Sequence, residues 1–276
     1  MAKINDYIAH RLLFYFSPGI YRKFWKNKLG VFPENLIPSA RKIEKEIALL
    51  PLFLNSESIF FDIGANMGLY LFWAEDLGVK KAVGFEPIPF LHEKLNRIFP
   101  QYTIENLAIS NQEGMAILRI PKINKKRIET RATLLGKEQT DEFNECVEIK
   151  IPSIRLDTYC EKNNIYPDFI KVDIEGAEEM MLNGCSELLQ NKRPILMIEI
   201  EKRHNRNMEH TLQLITKHGY GCFHFSPSTY EMVEYTEINE LQETKNEGTM
   251  AYINNFIFIP KEKVSLIEDL KKVRII

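Results

Sequence analysis

The chain has 276 residues, 45% of them hydrophobic and 27% charged, and a formal net charge of -2. This length fits one large domain, or one domain with an appendage, that buries enough surface to need neither disulfides nor a structural metal. The charge balance gives no general basis for nucleic-acid binding, and Cys146, Cys160, Cys185 and Cys222 form no C-x-x-C pair, which argues against a zinc site or redox dithiol.

No apolar run reaches the roughly 18 residues that span a bilayer. Aromatic and charged residues interrupt every apolar stretch near the N-terminus, against a signal peptide. The expected location is the cytoplasm. Residues 1–55 read as a helical extension. There Lys3, Arg11, Arg22, Lys23, Lys26 and Lys28 interleave with Phe14, Tyr15, Phe16, Tyr21, Phe24 and Trp25. The pattern fits a helix docked on its own domain with its aromatics inside. It also fits a peripheral contact with the inner face of a membrane or an anionic glycolipid, and the aromatics suit a homodimer contact. A helix over SARKIEKEIALLPLFL opens at Ser39 as N-cap, with Ile43, Ile47 and Leu50 at helical spacing.

From residue 57 the pattern alternates. SIFFDIG is an apolar strand ending in an acid and a glycine, and GANMGLYLFWAEDLG is a helix. KAVGFEP is a strand, PFLHEKLNRIF a helix and YTIENLAIS a strand. MAILRIP and CVEIKIP flank a long polar segment, read as a hairpin inserted at about residues 115–151. The alternation resumes with the strand DFIKVDIEG, a helix through EEMMLNGCSELLQ and the strand PILMIEIE. The helix TLQLITKHG leads to the strands GCFHFS and NNFIFIP, and SLIEDLKKVRII reads as a last helix or an extension. Strands alternating with helices predict an α/β fold with parallel strands and crossover helices, filling residues 56–276.

Asp62-Ile-Gly64-Ala-Asn66-Met-Gly68 has the form of a strand-turn-helix ligand loop. Gly64 can adopt a backbone angle that other residues resist, and Gly68 lets the helix pack closely and a ligand approach. Asn66 stands where a dinucleotide fingerprint has its second glycine, the residue that admits a pyrophosphate. Asp62 would suit an ammonium group, so the loop fits the amino-acid half of S-adenosylmethionine better than NAD. Glu86 follows the glycines by about 20 residues at a strand end, the place from which an acid accepts hydrogen bonds from a ribose diol.

FFDIGANMGLY, VGFEPIP, ENLAIS, IRLDTY, IKVDIEGAE and RPILMIEI, in this order over about residues 57–260, resemble the FkbM-type methyltransferases. The resemblance implies a class I, Rossmann-like methyltransferase fold of seven strands, the last antiparallel between its neighbours. It implies S-adenosylmethionine as methyl donor and O-methylation of a sugar, glycan or other hydroxyl-bearing substrate. By the same resemblance Asp62, Gly64, Asn66 and Gly68 surround the methionine moiety, Glu86 holds the ribose, and Asn106, Leu107 and Ala108 line the adenine. Ile88 or Phe90 would cover the adenine face. The first 50 residues lie outside the resemblance.

Asp173 and Glu175 flank Ile174 just past a buried strand, at the carboxyl edge where α/β folds bind ligands. Two acids there can position a hydroxyl, accept its proton or hold a divalent cation. Glu178 and Glu179 favour the following helix dipole instead. Glu199 and Glu201 share a face at the next strand end, so Glu199 is expected near Asp173 as a proton acceptor or hydroxyl anchor. His204, in the loop beyond, is a further candidate base. Oxygen ligands of this kind would suit magnesium, but no third ligand lines up beyond Glu175 or His204, and a metal is not favoured. Asp157 reads as a helix cap and His224 as structural. Lys125, Lys126, Arg127 and Arg131 make the inserted segment either a solvated loop or a clamp on an anionic acceptor. The rival readings are an NAD-binding oxidoreductase and a non-catalytic Rossmann-like binding protein.

Overall fold

The protein is seen in a computed structural model that describes residues 23, 45–123, 126–127, 131–136, 145–202, 208–226, 229, 231–235, 242 and 252–273. The basic aromatic stretch before residue 30 (apart from Lys23), Ser39, Lys125 and His204 fall outside these residues. Of the proposed helix from Ser39, the described part is a 3-10 turn over Lys45–Leu49 and a short helix α1, Leu50–Phe53.

The main sheet is built from apolar runs of four to six residues, β1 (Ile59–Ile63), β2 (Lys81–Phe85), β8 (Phe169–Val172), β9 (Ile195–Glu199), β10 (Tyr220–Phe225) and β12 (Asn255–Pro260). The edges are β3 (Thr103–Glu105) and β11 (Met232–Glu234). The order is β11-β10-β12-β9-β8-β1-β2-β3. From β3 to β9 all pairs are parallel, whereas β12 runs antiparallel to both β9 and β10. The last strand is thus inserted between its neighbours, as expected. Among the described residues the sheet has eight strands where seven were expected, because β11 adds an antiparallel edge to β10.

Strands covered on both faces read as continuous apolar runs. Phe60 and Phe61 of β1, both fully buried, point to opposite faces and join different cores. The first core holds α2 (Leu69–Asp76), whose Tyr70, Leu71, Phe72, Trp73 and Ala74 are all buried. On the same side lies α3 (Pro89–Ile98), through Leu95 and Ile98. The second core packs α4 (Leu156–Asn163), α5 (Glu178–Asn183), α6 (Ser186–Asn191) and α7 (Met208–Thr216). A last helix, α8 (Val264–Lys271), buries Leu270 on the first side.

Two expected elements are divided. The strand over YTIENLAIS breaks at Asn106–Leu107: β3 stays in the main sheet, while β4 (Ala108–Ile109) pairs with β7 (Cys146–Ile154) of a second sheet. The Asn106 amide makes the break, donating to the carbonyls of Glu86 (3.0 Å) and Pro87 (3.1 Å). The helix over EEMMLNGCSELLQ is two helices, α5 and α6. Asp157 begins the second from a distance, accepting the amides of Glu187 (3.2 Å) and Leu188 (2.9 Å). Asp157 is therefore a cap, but of α6 and not of α4, on which it sits.

The second sheet has the order β4-β7-β5-β6, with β5 (Gly114–Ile123) antiparallel to β7 and to β6 (Lys126–Arg127). Its inner face meets the main body in a small third core of Ile88, Leu91, Ala108, Leu118, Ile120 and Ile151. A cleft lies between the two.

Candidate active site

The cleft follows the carboxyl ends of β1, β2 and β8 and is open to solvent, its empty space, open mouth included, being about 580 Å³. The loop after β1 forms its floor. Gly64 has φ of 84° there, and a Cβ at Gly64 would stand 1.9 Å from the Asp173 carbonyl oxygen. Only glycine lets the loops after β1 and β8 touch. Gly68 gives the close helix packing expected of it: a Cβ there would come within 2.6 Å of Phe99 and 2.8 Å of Leu95, so it seats α2 on α3; it is not among the residues that line the cleft.

Asn66 and Glu86 interlock. With φ of 48°, Asn66 turns its amide toward β2, where it donates to Glu86 Oε2 at 2.8 Å. The Ile88 amide donates to Oε1, also at 2.8 Å. Glu86 is only 3% exposed, and burial raises its pKa from 4.5 to about 7, against the two amide bonds, with the Asp173 charge adding to the rise. Each carboxylate oxygen keeps a second lone pair, so two acceptor positions remain for a diol.

Asp173 and Glu175 both line the cleft, with Gly64, Asn66 and Glu86. They also line an adjoining narrow recess, together with Glu178, Glu199 and Glu201. The turn after β8 takes two left-handed residues in succession, Glu175 (φ 50°) and Gly176 (φ 97°). Glu178 holds that turn by accepting the Gly176 amide at 2.9 Å, which gives it a structural role.

Glu199 does come near Asp173, in the recess. Its Oε1 accepts from the Asn254 amide at 2.6 Å, and Asn254 also reaches Glu201 at 3.3 Å. Lys171 lies below, 1% exposed, with Nζ 4.0 Å from Glu199 Oε2 and 3.1 Å from Asn255 Oδ1, over the Tyr70 ring at 5.2 Å. Asp62, 2% exposed, is the register partner of Lys171 on the neighbouring strand. Asp62 is not among the residues that line the cleft. The sequence reading passed over Lys171, Asn254 and Asn255. The signal was present: a lysine inside the buried run FIKV demands charged partners.

The rest of the cleft lining is mostly apolar. Ile88 and Leu107 line it from the main body, Ala108, Ile109 and Leu118 from the second sheet, and Ala132 and Leu134 from the segment beside β5. The Asn106 side chain is spent on the two carbonyls; Ile88 lines the cleft, whereas Phe90 is 62% exposed and does not. His224 is buried among Tyr235 and Phe256, with Nδ1 2.9 Å from the Phe225 carbonyl, and is structural. Among the described residues no group of three or more His, Cys, Asp or Glu is arranged to hold a metal ion.

A mostly parallel sheet with an antiparallel last strand beside β9, and a ligand cleft at its carboxyl edge, defines the class I methyltransferase fold. The family model described as the methyltransferase FkbM domain matches residues 62–222, and the chain belongs to that family. S-adenosylmethionine is the methyl donor this membership implies. Among solved structures the chain is similar to methyltransferase FkbM from Methylobacillus flagellatus KT, at 14% identity and a TM-score of 0.46 over 74% of this chain. The match spans 44% of the length of that protein. It is also similar to a TehB-like SAM-dependent methyltransferase from Corynebacterium glutamicum, at 12% identity and a TM-score of 0.42 over 87% of this chain and 98% of that one. The Methanococcus jannaschii fibrillarin pre-rRNA processing protein is similar at 13% identity and a TM-score of 0.41, over 80% and 75% of the two chains. No curated protein matches the sequence. Among the described residues no helix is long and apolar enough to cross a membrane.

Proposed function

We propose that the protein transfers a methyl group from S-adenosylmethionine to a hydroxyl oxygen of a sugar or glycan. One observation supports the donor above others. Among the described residues the cleft lining contains three carboxylates, Glu86, Asp173 and Glu175, and no lysine, arginine or histidine. Such a lining favours a cationic ligand and disfavours a pyrophosphate. The loop amide of Asn66, which a phosphate would need, is already given to Glu86. This counts against the NAD reading.

The donor supplies a methyl carbon made electrophilic by a positively charged sulfur. The chain's residues then have three tasks. Glu86 takes the ribose hydroxyls on its remaining lone pairs. The apolar part of the cleft lining receives the purine. Asp173 and Glu175, shared by the cleft and the acidic recess, hold the acceptor hydroxyl and take its proton as the oxygen attacks. Glu199, held by Asn254 and faced by Lys171, acts as the anchor for that hydroxyl or a neighbouring one. Holding the oxygen in line contributes several kcal/mol, up to about 7–11 in ideal systems. Methyl-labelled donor incubated with free sugars, nucleotide sugars and glycan ends tests the reading. It predicts a labelled methyl ether, lost in Asp173→Asn. Label appearing only on nitrogen or on a carboxyl group would contradict it.

A further inference from the structure

The second sheet and the segment beside it contribute part of the apolar wall of the cleft, through Leu118, Ala132 and Leu134 among others. Residues 131–136 lie beside β5, where Arg119 and Thr133 exchange backbone hydrogen bonds of 2.8 and 2.9 Å. Arg119 then ties the segment down. Its Nη1 donates to the Leu135 carbonyl at 2.8 Å and its Nε to Glu148 Oε1 on β7 at 3.1 Å. The Leu135 amide closes onto Thr133 Oγ1 at 3.2 Å. In an extended segment alternate residues share a face. Ala132 and Leu134, on either side of Thr133, both line the cleft, as does Leu118 next to Arg119. They pack in the cluster that holds Ile88, and Ile88 and Leu107 line the cleft with them.

Resting on the donor reading above, we propose that the inserted sheet is part of the donor site. Ala132 and Leu134 close over the purine of S-adenosylmethionine, and Arg119 is the positioning residue that holds them there. The insert therefore sets affinity for the nucleoside half of the donor, a task distinct from clamping an acceptor. Two probes separate the halves: S-adenosylhomocysteine, and 5′-methylthioadenosine, which lacks the amino-acid end. Titration calorimetry of Leu134→Ala should show both bound about tenfold more weakly, the effect of losing about two buried methylene contacts. Arg119→Ala should weaken both in parallel and carries the test if Leu134→Ala does not fold. Met115→Ala, at an exposed position on the outer face of β5, should leave both unchanged. The proposal is overturned if the first two variants melt like the wild type and bind both probes within about twofold of it. Loss of S-adenosylhomocysteine binding alone would place Leu134 at the amino-acid end and overturn it equally. A wild-type protein that binds neither probe removes the donor reading itself, a distinct failure.

Discussion

The interlocked Glu86 makes donor binding depend on pH in a defined direction. Burial raises its pKa from 4.5 to about 7 in the folded protein. A ribose diol donating to the carboxylate favours the ionised form, as does a cationic donor, so binding must remove the proton that the unliganded protein holds below neutrality. With a pKa near 7 before binding and well below 6 after it, affinity for S-adenosylhomocysteine should fall roughly tenfold between pH 8 and pH 6. Stability runs the other way. The unfolded chain releases this proton near 4.5 and the folded chain near 7, so the folded state binds more protons between those values. The Glu86 contribution to stability is thus greatest below 4.5 and falls by about 3 kcal/mol as pH rises through 7. The assay is calorimetric titration of wild type and Glu86→Gln with S-adenosylhomocysteine across this range. The variant lacks the titrating group and should lose the wild-type slope, keeping only what the ligand itself contributes. Equal slopes in the two proteins, or tighter binding toward acid in the wild type, would mean that Glu86 does not bind the donor as a carboxylate.

Other consequences are equally open to measurement. Gly64→Ala puts a methyl group into the Asp173 carbonyl at a left-handed φ, and should lower stability by about 2 kcal/mol or more in thermal melts, with donor binding lost in parallel. Asp157→Ala removes the cap of α6 and should cost about 1 kcal/mol, leaving the Kd for S-adenosylhomocysteine unchanged. A change in that Kd would give Asp157 a place in the site. Asp173→Asn should weaken S-adenosylmethionine more than S-adenosylhomocysteine, by about tenfold in the ratio, because only the first carries the sulfonium charge. Burial pushes the Cys160 thiol up to about 12 and raises Cys185 and Cys222 as well, whereas Cys146 is half-buried. An alkylating reagent at neutral pH should therefore label Cys146 alone until denaturant is added.

The parts of the fold legible in the sequence were those with a strong local pattern. The runs ending at Asp62, Glu86, Asp173 and Glu199 are apolar, short and followed by helices, and they form the parallel strands that carry the site. The strand β11 was not legible because three residues at an edge show no period. The break at Asn106 and the restart of α6 were hidden for another reason. Each depends on a side chain bonding backbone far away in sequence, Asn106 to Glu86 and Asp157 to Glu187. The same limit applies in the site. Asn66 and Glu86 were readable as loop and strand-end residues, but not their mutual hydrogen bond. Gly68 and Asn106 stood in the expected places and serve packing and loop geometry. Asp62 read as a ligand for an ammonium group, yet its strand register sets it beside Lys171. The contribution of Leu118, Ala132 and Leu134 arises from packing of two sheets, which no local pattern announces.

Whether the cleft takes a cationic nucleoside donor is decided by calorimetric titration of the purified protein with S-adenosylmethionine, S-adenosylhomocysteine and NAD. Saturable binding of the first two with none of the third, lost in Glu86→Ala, is expected. Binding of NAD alone would mean that the cleft is not a methyl-donor site.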